Sequence, residues 1–252
     1  MRAADGGADQ SGELDLARVS RAQAAANRAA LVDTASRMFR ERGYDGVAIA
    51  EMAAAAGFTH GGFYGQFAAK AALADEALAH AFAAARARWQ QLAAADADGP
   101  VDGDADGDAD GAAIDRLLAR YLSAAMRDNW GDGCPAVALG MDTARQPAES
   151  GIHATYAAGL RGMIAALEEM LPPDWPARRR RERALLLMAT MAGALTLARG
   201  LGDDPLSDEI LATVHREGRL VAGLATASPA TATAAQDEER TAGPLVARAR
   251  HG

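Results

Sequence analysis

The chain has 252 residues, half of them hydrophobic but only 5% aromatic, so its core must be built largely from alanine and leucine, a composition that favours helices over sheet. Its 26 basic and 34 acidic residues give a net charge of −8, which excludes a generally basic nucleic-acid coat. A single cysteine, Cys134, excludes a disulfide framework and a cysteine-built zinc site within one chain.

Residues 1–16 are polar and acidic with no apolar run, which predicts a disordered arm and not a signal peptide. Leu31, Ala35, Met38 and Phe39 follow the three-four spacing of a helix that should end near Gly43. From Ala17 to Lys70 there are seven basic and four acidic residues, so this segment is locally positive.

The stretch from Gly43 to Leu73, GYDGVAIAEMAAAAGFTHGGFYGQFAAKAAL, is the most informative. Ile49, Met52, Ala53 and Ala56 predict a short amphipathic helix, and Gly57 predicts the positive-φ turn that ends it. Thr59 is placed to cap a second short helix, with Phe63 and Phe67 on its inner face. Two short helices around a glycine turn, with Ala53 allowing close approach, form a helix-turn-helix. The second helix carries Gly61, Gly62 and Gly65, each costing about 1 kcal/mol of helix propensity. That cost makes sense where something must come close to the backbone. Thr59, His60, Tyr64 and Gln66 then face outward, able to reach base edges or phosphates. Lys70, the only lysine, falls where the next helix begins. The glycine run lacks the Gly-Lys-Ser/Thr ending of a phosphate loop.

Between Asp96 and Asp115 there are eight aspartates and no basic residue, and outside that stretch the chain balances at zero. A calcium loop started at Asp102 or Asp106 places Gly107 or Gly111 correctly, but Ala113 or Leu117 stands where a glutamate is needed. Residues 96–112 are therefore expected to be an acidic, disordered linker.

A second helical stripe runs through Ile114, Leu117, Leu118, Tyr121, Leu122, Ala125 and Met126. A third runs from Ile152 through Tyr156, Leu160, Met163 and Leu167 to Leu171 and stops at Pro172-Pro173. Arg178–Arg181 with Arg183 could form a second nucleic-acid patch, but the plainer reading, taken here, is a solvated helix start paired with Glu168 and Glu169. The apolar run Ala184–Ala198, closed by Arg183 and Arg199, is short for a membrane span and predicts a helix covered on every side. Another helix is expected from Ser207 to Leu224, and 226–252 as a disordered tail. No catalytic constellation, metal site or cofactor motif can be located.

The block AGFTHGGFYGQFAAKAAL resembles the DNA-binding domain of the TetR/AcrR family of bacterial transcriptional regulators, and the likeness runs from about Arg28 to Leu78. It covers about a fifth of the chain with a specific pattern: a Thr after Ala-Gly, a small-residue step, Tyr, a Phe four after the first aromatic, then Lys and Leu. Where family members often carry a Ser or Thr before the first of the two helices, this chain has Val47-Ala48. Where they often carry an acidic residue after the lysine, it has Ala71.

The resemblance implies an all-α fold, with a DNA-binding domain over 17–78 and a helical effector-binding and dimerisation domain over 79–225. It implies a recognition helix over Thr59–Phe67. The DNA-side residues would be Thr59, His60, Gly61, Gly62, Tyr64, Gln66 and Lys70, joined by Ala48 and Arg28. The last two long helices would pair with their copies in a homodimer on a palindromic duplex operator. The protein would be a cytoplasmic repressor, released by a small apolar or reactive effector, and not an enzyme. Alternatives from other classes are a constitutive DNA-binding module without ligand and a helical-bundle enzyme.

Met126, Trp130, Met163, Leu167 and Met188 are candidate effector contacts, since methionine adapts to variable apolar ligands. Cys134, after Gly-Asp-Gly and before Pro135, is expected at a helix N-terminus. There the dipole would lower its pKa, and Gly131 and Gly133 would leave it accessible as an electrophile sensor. The plainer alternative is a small buried residue.

Overall fold

The computed structural model describes the backbone of residues 9–95 and 111–224, with side chains described from residue 22. Those residues form helices α1 (Asp9–Arg42), α2 (Ile49–Ala55), α3 (His60–Tyr64), α4 (Lys70–Ala94), α5 (Ala112–Tyr121), α6 (Ala124–Asp128), α7 (Pro135–Ala144), α8 (Ile152–Met170), α9 (Ala177–Leu201) and α10 (Pro205–Ala222). The fold is all-α, and no strand occurs among the described residues.

The N-terminal expectation is corrected in part. Helix α1 starts at Asp9, so residues 9–16 are helical and not a disordered arm, while 1–8 lie outside the described residues. The segment, DQSGELDL, has no proline, and its Gln, Glu and two Leu are residues that favour a helix. Residues 22–26 are exposed, and burial begins at Leu31.

From there Leu31, Val32, Ala35 and Phe39 of α1 pack with Met52, Ala53, Phe63, Phe67 and Leu73 into the core of the N-terminal unit. Helix α4 runs unbroken through residue 78, so the boundary expected there falls inside a helix shared by both parts. Its C-terminal half packs along α8, where Phe82 fills the space over Gly159 and meets Tyr156 edge to face at 5.4 Å.

The acidic segment 96–110 lies outside the described residues. Its expected end at 112 is corrected: Gly111 is buried against Arg219 and Ala112 opens α5. The stripe from Ile114 to Met126 is two helices, not one. Ser123 breaks it, its hydroxyl donating to the Arg120 carbonyl at 2.9 Å and accepting from the Met126 N–H at 3.2 Å, which caps α6.

Helix α8 ends at Met170, before the two prolines. Of the arginine run, Arg178 pairs with Glu182 and Arg181 with Glu168, both at helix-surface distances below 3 Å. Arg179 lies 3.5 Å over the Trp175 ring.

Helix α9, at 25 residues, is long and apolar enough to cross a membrane by length and composition. It packs against α8 and α10 and buries Ala184, Leu187, Met188, Met191, Leu195 and Ala198. Within the single chain this cover is incomplete: Leu185, Leu186 and Leu197 remain exposed. The expected tail 226–252 lies outside the described residues.

Candidate nucleic-acid interface

Helix α2 ends as its sequence requires. Gly57 takes φ +81°, its N–H donates to Ala54 O at 3.0 Å, and the Phe58 N–H donates to Ala53 O at 2.7 Å. This is the Schellman pattern, which satisfies carbonyls that α2 leaves free and turns the chain sharply. Thr59 follows in extended conformation, its hydroxyl accepting from the Gly62 N–H at 3.1 Å, and so starts α3.

The expected recognition helix, Thr59–Phe67, is thereby narrowed. Thr59 is its cap, the helix is His60–Tyr64, and Phe67 follows after a turn at Gly65 and Gln66. Phe63 and Phe67, fully buried and stacked at 6.0 Å, fix α3 to the core. The outer face then carries Thr59, His60, Gly61 and Tyr64, all exposed. His60 and Tyr64, one turn apart, meet edge to face at 5.4 Å, while Gln66 and Gly62 are half-buried. A Cβ added at Gly61 would meet nothing within 4 Å, so neither packing nor backbone conformation inside this chain demands glycine there.

Ala48 is exposed and stands at the N-cap of α2 with no side-chain cap. The first turn of that helix is instead braced by Glu51 on Arg42 at 2.6 Å. That contact holds the exposed Glu51 carboxyl below its ordinary value. Lys70 is the first residue of α4, whose first turn has no acidic residue, so its charge adds to the positive end of the helix.

The expectation for Arg28 is corrected. Its Nε and Nη2 grip both oxygens of Glu76 on α4, its Nη1 donates to the Gln66 carbonyl, and its guanidinium lies 3.9 Å over the Phe67 ring. It clamps the turn after α3 to α1 and α4. Sequence spacing hides this because the partners are 38 and 48 residues away.

The candidate effector residues differ widely in exposure. Met163, Leu167 and Met188 are core residues, 4% exposed or less, while Met126 is half-buried and Trp130 is 42% exposed. The expectation for Cys134 is corrected as well. It does precede α7, but it is 3% exposed, and burial pushes its thiol up, outweighing the helix end. Gly131 and Gly133 do not open it; they admit the carboxylate of Glu41 and the guanidinium of Arg199. The nearby Tyr121 hydroxyl is buried without a well-formed hydrogen bond, and burial, with Cys134 as its polar neighbour, raises it well above its ordinary value. Among the described residues no three His, Cys, Asp or Glu side chains converge as a metal site needs.

Two connections between the N-terminal unit and the helical body escape sequence reasoning. Tyr44 donates its N–H to Asp142 at 3.3 Å and shares a 3.3 Å hydrogen bond with Thr143 on α7. Burial pushes its phenol up to about 12. Asp132, in the loop between α6 and α7, pairs with Arg37 of α1 at 3.5 Å and accepts on its carbonyl from Arg88 of α4 at 3.3 Å. Arg40 is buried at this junction with Nε and Nη1 unpartnered among the described residues. Burial, then the neighbouring Arg88 charge, pulls it down to about 10.

Residues 31–77 match the family of bacterial regulatory proteins, tetR family. No curated protein matches the chain closely enough to count as a relative. The fold is similar to that of reduced E. coli NemR, with 22% identity and a TM-score of 0.57 over 80% of this chain and 98% of that one. It is also similar to a TetR-family regulator from Cytophaga hutchinsonii, at 15% identity and TM-score 0.59 over 82% and 98%. A third likeness is to a tetR-family regulator from Streptomyces coelicolor, at 21% and 0.56 over 86% and 85%. At such identities the shared shape is a likeness of fold, and the assignment comes from the matched domain set in that fold. Residues 31–77 thus carry a helix-turn-helix of the tetR family of bacterial regulatory proteins, set at the head of a helical body whose fold is similar to that of TetR-family regulators.

Proposed function

We propose that the protein is a cytoplasmic homodimeric repressor that binds a palindromic operator and leaves it when a small molecule binds the helical body. The supporting observation is the outer face of α3, where Thr59, His60, Gly61 and Tyr64 stand exposed on a helix locked from behind by Phe63, Phe67 and Arg28. One helix of five residues reads too few base pairs alone, which favours two half-sites related by the two-fold axis of a dimer. His60 and Tyr64 are assigned to bases, Gly61 and Gly62 to close backbone approach, and Thr59, Gln66, Lys70 and the exposed Ala48 to the phosphate backbone. Release is a population shift toward a form whose two headpieces no longer match operator spacing. Met126 and Trp130 keep a place as effector contacts, and Met163, Leu167 and Met188 act from the core. The buried, proton-retaining Cys134 favours a non-covalent effector over a reactive one.

Selection of bound duplexes from random sequence tests this reading. It is expected to return one palindrome, and a monomer tightly bound to an asymmetric site would refute it. On that palindrome Lys70→Ala should weaken all sequences alike and lower the salt slope by about one unit per protomer. Arg28→Met should lower headpiece stability by about 1 kcal/mol and leave the salt slope unchanged, as befits a clamp. His60→Ala should relax the preference at the base it reads, at a cost of about 1–3 kcal/mol. An unchanged selected sequence would remove His60 from base reading.

A further inference from the structure

Arg199 closes the apolar run of α9 with a guanidinium only 8% exposed. Its Nε donates to the Arg127 carbonyl at 3.1 Å, and its Nη2 to the carbonyls of Met126 at 2.9 Å and Asn129 at 3.4 Å. Its Nη1 has no partner, and no carboxylate pairs with the group among the described residues. A buried cation held by neutral carbonyls, with only the exposed Asp128 acting on it through space, is poorly compensated. The indole of Trp130 lies across it, 4.5 Å from ring centroid to guanidinium carbon, and is itself 42% exposed.

Beside this stack is a cavity of about 100 Å³, walled by Arg127, Asp128, Trp130, Arg199, Gly202 and Asp203. Arg127 is neutralised by Asp128 at 2.7 Å and Asp208 at 2.6 Å. Asp203 is exposed in the loop after α9 and Asp128 acts on Arg199 only at a distance, so Arg199 is the buried cation at the cavity with no carboxylate in contact.

We propose that this cavity binds an organic carboxylate, which pairs with Arg199 beneath the Trp130 ring. The small volume admits the carboxylate and a few carbons, and a longer chain lies along the exposed indole at the mouth. The inference rests on the release reading above and gives its effector a chemical class. It also supplies a route to the headpiece. The carbonyls that Arg199 holds end α6 and begin the loop that carries Asp132, and Asp132 is tied to Arg37 of α1 and Arg88 of α4. An anion that takes Arg199 competes with those carbonyls, loosens the loop and changes the seat of α1.

The test titrates the full-length protein with straight-chain carboxylates from acetate to octanoate at constant ionic strength, with the matching alcohols as uncharged controls. Tryptophan emission and thermal stability are read together. Carboxylates are expected to give a saturable emission change and a raised Tm, with alcohols about tenfold weaker or more. Arg199→Lys, which keeps the charge but loses the fork, should weaken carboxylates about tenfold. Trp130→Phe should remove the emission change and keep the Tm shift. Asp203→Asn, which leaves every Arg199 contact in place, should tighten carboxylates about threefold. Equal shifts from acids and alcohols, no shift from either, or unchanged affinity in both Arg199→Lys and Asp203→Asn would overturn the site. Operator release is measured separately. A carboxylate that binds without releasing DNA leaves the site standing and refutes the release reading. Release by a neutral compound, with no carboxylate bound, does the reverse.

Discussion

Gly61→Val is expected to abolish operator binding while leaving the protein folded. The glycine has a negative φ, lies exposed on α3, and has open space where a side chain would go, so valine disturbs nothing inside the chain. Helix propensity changes slightly in valine's favour, and the melting temperature should hold or rise. On the DNA side, two methyl groups stand where backbone must approach the duplex, and they do so in both half-sites. A loss of about a hundredfold or more follows if each half-site loses at least one close contact. Gly61→Ala should fall between. Titration with the selected duplex beside a thermal melt decides it, and near-native affinity in the valine variant would end the close-approach argument.

Leu186→Glu combined with Leu197→Glu is expected to split the proposed dimer and, with it, operator binding. Leu186, Gly193, Leu197 and Gly200 recur at helical spacing along α9, and the two glycines have open space where a side chain would stand. The leucines are 48% and 60% exposed, and Leu206 and Leu220 add exposed apolar surface on the adjoining α10. Large side chains beside glycines make a seam into which another helix can settle closely. A fully buried leucine is worth about 1.5–3 kcal/mol, and the two changes act in both copies, so the dimer dissociation constant should rise about a thousandfold or more. Sedimentation should show a monomer with native helix content. A double variant that stays dimeric would place the interface elsewhere.

What the sequence discloses and what it hides follow from the range of the interactions. Gly57, Thr59, Phe63 and Phe67 are legible because a turn, a cap and an i,i+4 pair are settled within a few residues. Arg28 reads as a surface cation because Gln66 and Glu76 reach it only after α1 and α4 pack. Cys134 reads as an accessible thiol because its neighbours in sequence are glycines. Its cover comes from Tyr121 on α5 and from the side of α9 that carries Arg199. The start of α1 at Asp9 was hidden for another reason. Hydrophobic periodicity marks where a helix packs, and residues 22–26 of this one are exposed, with burial beginning only at Leu31. Arg199 left one trace, as the charge that closes an apolar run.

Helix α4 also sets how the molecule turns in the field of a duplex. At 25 residues it is about 37 Å long, with Lys70 at one end and Ala95, where the acidic segment departs, at the other. The chain re-enters at Gly111 beside that far end, where Arg116 of α5 donates to the carbonyls of Leu92 and Ala93. Seven aspartates lie in sequence between Ala95 and Gly111, two described points at the end of α4 far from Lys70, and the helix length is several times the Debye length of about 8 Å. The two ends of α4 thus carry opposite charge, and a polyanion repels the foot of the molecule while it draws in the head. On the proposed function, that torque would turn the protein with α3 first before contact, so a chain of net charge −8 would be steered to DNA by the same charges that make it acidic.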